Sequence, residues 1–195
     1  MRSAVAELYI SVDAETSGPI IGVHSMYSVG LVAYTKYGQE IGCFSVNLDE
    51  LPGGQTYPVT AIFWAEHPAA FAAHRLNTVP PSQGMKALKQ WLTDLADNGK
   101  NTLIFVAWPA PFDWGFLDWY LKVFADGNPF DGAIDMRSYI MGMFHRSYAA
   151  SGKGALPPQL LGNYPNNLPH VALDDARHQG NLFMRLFLAN SLTRG

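Results

Sequence analysis

The chain predicts a mixed α/β (α+β) fold, a central sheet of about five strands flanked by helices, and two observations carry that prediction. The first third alternates short β-branched and aromatic runs with turn residues, and the rest interleaves helical spacing with two further short apolar runs. A length of 195 residues fits one domain, 1–195, with a single sizeable core.

Residues 6–12 read as a core strand that runs into the acidic pair of VDAET and then Ser-Gly-Pro. Residues 26–34 and 40–48 are two more strands across the turn Thr35-Lys36-Tyr37-Gly38-Gln39, giving an antiparallel meander. FWAEHPAAFAAHRL has Ala-rich helical spacing. A helix beginning at Ser82 places Met85, Leu88, Trp91, Leu92 and Leu95 on one face and stops at Asn98-Gly99. Residues 102–106 form a short continuous apolar run, as expected of a buried strand. A Pro-Ala-Pro break then leads to Asp113 and a helix through Phe116, Tyr120 and Phe124. Residues 133–135 suggest a last strand, with 136–145 helical behind it. Residues 147–168 are rich in Gly, Pro, Asn and Ala without periodicity, so a long functional loop or lid is expected there. Residues 170–191 return to helical spacing.

Composition narrows the function classes. With 48% hydrophobic and 15% charged residues the chain is neither disordered nor solvating, and its apolar surface suggests a homodimer interface. One cysteine, Cys43, permits no internal disulfide or zinc cluster, and a cytoplasmic setting follows. No run approaches the roughly 20 apolar residues of a membrane span, so no membrane is expected. A net charge of −3 argues against coating long nucleic acid. It leaves open an enzyme that grips a few terminal nucleotides with help from divalent cations.

Four acids and a histidine recur in order: Asp13 and Glu15 in VDAET, Asp113 in PFDWGFL, His170 and Asp175 in HVALDDA. Asp13 and Glu15 are two apart, so an extended chain points both to one face where they either share a cation or simply meet solvent. Asp113 stands where a helix begins, either as a cap or as a ligand. His170 lies five residues before Asp175, and this pair either serves metal chemistry or sits at a helix start with Asp174 and Asp175 favouring the dipole. His24, His67, His74 and His145 have no partners at ligand spacing and read as surface or core residues; His178 lies one helical face along from the acidic pair. Trp91 and Trp119 read as core, whereas Trp108 and Trp114 flank Asp113 as stacking candidates.

Taken in order, the three motifs resemble those of DEDDh-type 3′-5′ exonucleases of the ribonuclease-H-like superfamily, which contains proofreading exonucleases, ribonuclease T and oligoribonuclease. FWAEHPAAFAAHRL with the KQWL helix looks closest to small exoribonucleases and phage-type exonucleases. Where that family commonly has His-Asn before its Phe-Asp, this chain reads Ala107-Trp108-Pro109-Ala110-Pro111. The resemblance implies a catalytic set of His170, Asp13, Glu15, Asp113 and Asp175, with Asp175 preferred to Asp174. It further implies two divalent cations, Mg²⁺ or Mn²⁺, with Asp13 bridging them, Glu15 and Asp175 completing one site and Asp113 supporting the other. His170 would then take a proton from the attacking water. The implied partner is a nucleic acid 3′ end, RNA or DNA, and the product a nucleoside 5′-monophosphate. Substrate contacts would come from Thr16, Ser17, Trp108, Trp114 and Arg146, with Lys153 and Arg177 as further phosphate candidates. Two alternatives stand beside this: an inactive end-binding module of the same fold, and a two-carboxylate glycosidase, which would leave the His170/Asp175 unit unexplained.

Overall fold

A computed structural model describes residues 6–161 and 169–192. Five strands form one sheet in the order β3-β2-β1-β4-β5: β1 is Ala6–Thr16, β2 Met26–Thr35, β3 Glu40–Asn47, β4 Asn101–Ala107 and β5 Gly132–Asp135. β1 pairs antiparallel with β2 and β2 with β3, while β4 and β5 add in parallel on the other side of β1. The mixed sheet flanked by helices is therefore as expected, with two differences in the first half. β1 continues through Asp13 and Glu15 to Thr16 instead of ending at residue 12, because β2 pairs with it along that whole length. The Ala-rich helical segment is broken into α1 (Pro58–Glu66) and α2 (Pro68–His74), since Pro68 cannot continue the helix before it but can start the next.

α3 (Pro81–Ala96) also opens on a proline, and it closes on Asp97 in the left-handed conformation. α4 (Ala110–Ala125) and α5 (Met136–Phe144) follow β4 and β5 directly. A 3₁₀ turn at Lys153–Ala155 and the short α6 (Pro158–Leu161) lie within the expected loop, whose remainder, 162–168, lies outside the described residues. α7 (Ala172–Leu192) ends the described chain. No described helix is long and apolar enough to cross a membrane.

The period of two along β1 divides the molecule. Leu8, Ile10, Val12 and Ala14 pack toward α3 and α4 with Met85, Leu88, Phe116 and Tyr120. Tyr9 belongs to the other core, with Ala176, Phe183 and Leu186 of α7. Burying side chains of this size contributes about 1.5–3 kcal/mol each. Asp13 and Glu15 share the odd-numbered face with Tyr9, so the same alternation that builds the second core aims both carboxylates toward α7. Two glycines let that helix come close. A Cβ on Gly30, which pairs with Asp13 across β1 and β2, would stand 2.3 Å from the Leu173 nitrogen. A Cβ on Gly180 would meet the Tyr34 ring at 2.5 Å and the Ser11 Cβ at 2.8 Å.

Candidate active site

The pairing of β1 with β4 ends at Ser11 and Val106, and beyond it the two parallel strands diverge. Backbone groups of β1 freed there need partners. Asp113 in the first turn of α4 accepts from the Ala14 N–H at 3.0 Å, and Gln179 of α7 donates to the Val12 carbonyl. The crevice beyond the carboxyl ends of parallel strands is where open α/β sheets place their ligands. Here it is lined by acids from three separate parts of the chain.

Asp113 is buried and does not cap α4; the N-cap position is Pro109, and the Ala110 N–H is bound instead by the Asp135 carboxylate at 3.0 Å. The capping alternative for Asp113 therefore gives way to a bond that joins α4 to β1. Asp175, on the first turn of α7, accepts from the His170 backbone N–H at 2.7 Å. Ligand atoms of Glu15, His170 and Asp175 all lie within 4.8 Å of one another, a group that could hold a metal ion. Asp13 completes the cluster: burial pushes its carboxyl well above the usual range, with the charges of Asp113, Glu15 and Asp175 adding to the rise. Burial likewise raises Glu15 to about 8, helped by Asp175 and Asp113, and raises Asp113 to about 7. Asp13, Glu15 and Asp113, which burial and mutual repulsion keep from ionising, form with the neighbouring Asp175 a donor set of hard oxygens suited to divalent cations, which would relieve the repulsion. The residues present therefore fit a divalent metal.

Asp174, by contrast, lines a separate cleft with Ser45 and Asn47. The carboxylate at the cluster is that of Asp175.

His170 has φ +64°, a left-handed conformation costing a non-glycine residue about 1–2 kcal/mol. Its N–H is held by Asp175 and its carbonyl by the His74 ring, whose Nε2 lies 2.7 Å away. The His170 imidazole stands edge-on to the rings of Phe63 and His67, with centroids 4.8 and 4.5 Å apart. His74 was expected to be an isolated core or surface residue. It is buried as expected of a core residue, yet it is joined to the site through this backbone contact, which sequence spacing does not reveal because the two residues are 96 apart. Burial lowers its pKa, so the ring is held neutral.

Beside Glu15 opens a cleft of about 340 Å³ lined by Thr16, Val59, Phe63, Trp64 and Phe112. Thr16 lines this cleft, its carbonyl accepting from the Trp64 indole at 3.0 Å. Ser17 is turned inward. Its hydroxyl donates to the Gln55 carbonyl, its N–H donates to Ser25 and its carbonyl accepts from Tyr57. Trp108 carries the Lys153 ammonium 5.4 Å above its ring, and that ammonium is the nearby positive charge favouring ionised Asp13. Trp114 packs into the core against Phe105 and Phe130, with centroids 5.2 and 6.1 Å away. Arg146 donates to the Ala155 carbonyl and covers Phe144, and Arg177 is paired with Glu40 at 3.2 Å. Phe63, Val59 and Phe112 were not anticipated. Only Phe112 had a signal, its place immediately before Asp113.

The strand order, and the acids and histidine gathered where the parallel strands diverge, are consistent with a nuclease hydrolase of the DEDDh 3′-5′ exonuclease type, the class whose motifs this sequence resembles. The chain is similar to the 3′-5′ DNA exonuclease Cap18 of Escherichia coli, with 29% identity over 184 residues that cover 91% of this chain and 90% of that protein. Its fold matches a full-length 3′-exonuclease with a TM-score of 0.60 and 14% identity, over 95% of this chain and 82% of the other. It also matches E. coli ExoI in a zinc-bound complex with single-stranded DNA (TM-score 0.62, 12% identity, 96% of this chain and 41% of ExoI). A third match is E. coli exonuclease I with a dA16 oligonucleotide (TM-score 0.61, 12% identity, 97% and 44%). This chain therefore spans under half the length of exonuclease I. No protein-family model matches the chain.

Proposed function

We propose that the whole chain is one exonuclease domain that removes nucleoside 5′-monophosphates from the 3′ end of single-stranded DNA. The observation that carries this is the convergence of Asp13, Glu15, Asp113 and Asp175 beside His170, at the mouth of an apolar cleft large enough for one nucleoside. DNA is favoured over RNA by the name of the E. coli relative and by the single-stranded DNA in the exonuclease I complexes.

Asp13, Glu15, Asp113 and Asp175 would hold two divalent cations, Mg²⁺ or Mn²⁺. When bound, these supply Lewis-acid stabilisation of the charge that develops on the phosphoryl group and leaving oxygen. Phe63 and Phe112 would pack against the terminal nucleoside and exclude water from that side. His170, held by its backbone at both polar groups, would take the proton from the attacking water. Lys153, whose charge acts on Asp13, would meet a backbone phosphate. The lone Cys43 supports a cytoplasmic setting. A homodimer is supported by exposed apolar residues such as Ile20 and Ile62, and light scattering in solution tests it.

Incubation of 5′-labelled single-stranded DNA and RNA with Mn²⁺, Mg²⁺ or EDTA tests the activity. Stepwise shortening of DNA from its 3′ end, abolished by EDTA, is expected. Preferential RNA shortening would reassign the substrate, and tight binding without shortening would make the chain an end-binding module.

A further inference from the structure

The buried His74 sits at the C-terminal end of α2, outside the acidic cluster, and both of its ring nitrogens are engaged. Nε2 faces the His170 carbonyl at 2.7 Å, and Nδ1 faces the Ser28 hydroxyl at 2.8 Å. A carbonyl only accepts, so Nε2 carries the proton; a neutral ring then leaves Nδ1 to accept from Ser28. With neither nitrogen left free, His74 is no metal ligand. Ser28 itself, on β2, pairs directly with Glu15 of β1. The path from Ser28 through His74 therefore ties the strand beside the cluster to the backbone of the histidine above it.

That tie has something to hold. His170 stands in the left-handed region, where a non-glycine residue persists only if its surroundings over-determine it. Asp175 fixes its N–H, and without His74 its carbonyl would lose the opposing bond. Resting on the exonuclease reading above, we propose that His74 is a positioning residue for His170, acting through the His170 carbonyl and kept in the donating tautomer by Ser28.

The test uses the full chain with His74→Leu, His74→Gln and Ser28→Ala, assayed on a single-stranded DNA oligonucleotide with Mn²⁺ and by ¹⁵N NMR of the imidazoles without metal. His74→Leu is expected to lower kcat by about 10²-fold, the cost of a misplaced reacting group, with KM little changed. His74→Gln, whose amide can donate to the same carbonyl, recovers most of that loss, and Ser28→Ala loses less than His74→Leu. NMR of the wild type is expected to show His74 neutral with its proton on Nε2. A proton on Nδ1, a His74→Leu kcat equal to wild type, or a Gln variant no better than Leu would each overturn the proposal. Wild-type protein that releases no nucleotide would overturn the exonuclease reading and, with it, the catalytic purpose of His74. The NMR result judges the hydrogen-bond path separately.

Discussion

Asp13 and Asp175 approach each other from opposite ends of the chain, and neighbouring side chains with nearly the same chemistry do not. Asp174 faces its own cleft beside Ser45 and Asn47, so Asp174→Ala should retain activity, whereas Asp13→Ala and Asp175→Ala should lose it. Equal loss in Asp174→Ala and Asp175→Ala, measured on labelled DNA, would contradict this assignment. His170→Ala should leave Mn²⁺ binding by calorimetry nearly intact while lowering turnover roughly 10²–10⁴-fold. Loss of Mn²⁺ affinity would instead make His170 a ligand, which its closeness to Glu15 and Asp175 also permits. The acids and His170 were readable from motif order. His74 was not, because its connection runs through a backbone carbonyl, which leaves no mark in residue spacing.

The raised carboxyls have a consequence for the free protein. Glu15 at about 8 and Asp113 at about 7 hold protons in the folded state that an unfolded chain, near pH 4 for carboxyls, has already released. Stability should therefore fall as pH rises from about 4 to about 8, since the folded state binds more protons over that window. Melting of metal-free protein should move down by several degrees between about pH 5 and about pH 8, and added Mn²⁺ should reverse the drop. A metal-free melting temperature that is flat or rises with pH would show that the four carboxylates are not confined together.

Helix α7 reaches the site only because Gly30 and Gly180 leave room for it. The Cβ of Gly30→Ala would collide with backbone at Leu173, which no rotamer change can relieve. This substitution should destabilise the protein by about 1–3 kcal/mol and lower activity by displacing the start of α7. Thermal melting and activity both matching wild type would show that α7 does not depend on that close approach. Most strands and helices were legible from periodicity. The segment around residue 67 was not divided correctly, because its Ala-rich spacing is continuous in sequence while Pro68 interrupts the backbone. Likewise β1 was read as ending before its acids, because two carboxylates look like a strand end until β2 is seen to pair beside them.

Across the entire fold, order along the chain becomes proximity through one crevice, formed where β1 and β4 stop pairing. That crevice could be anticipated from acids placed at the ends of elements. The apolar cleft beside it could not, since Val59 and Phe63 come from a helix whose position no motif announces. The proposed activity depends on these acids sharing divalent cations. Anomalous diffraction from crystals soaked in Mn²⁺ and a nucleoside 5′-monophosphate tests that directly. Mn²⁺ peaks held by Asp13 together with Glu15, Asp113 and Asp175, with the nucleoside against Phe63 and Phe112, are expected; Mn²⁺ bound elsewhere, or absent from Asp13, would contradict the account.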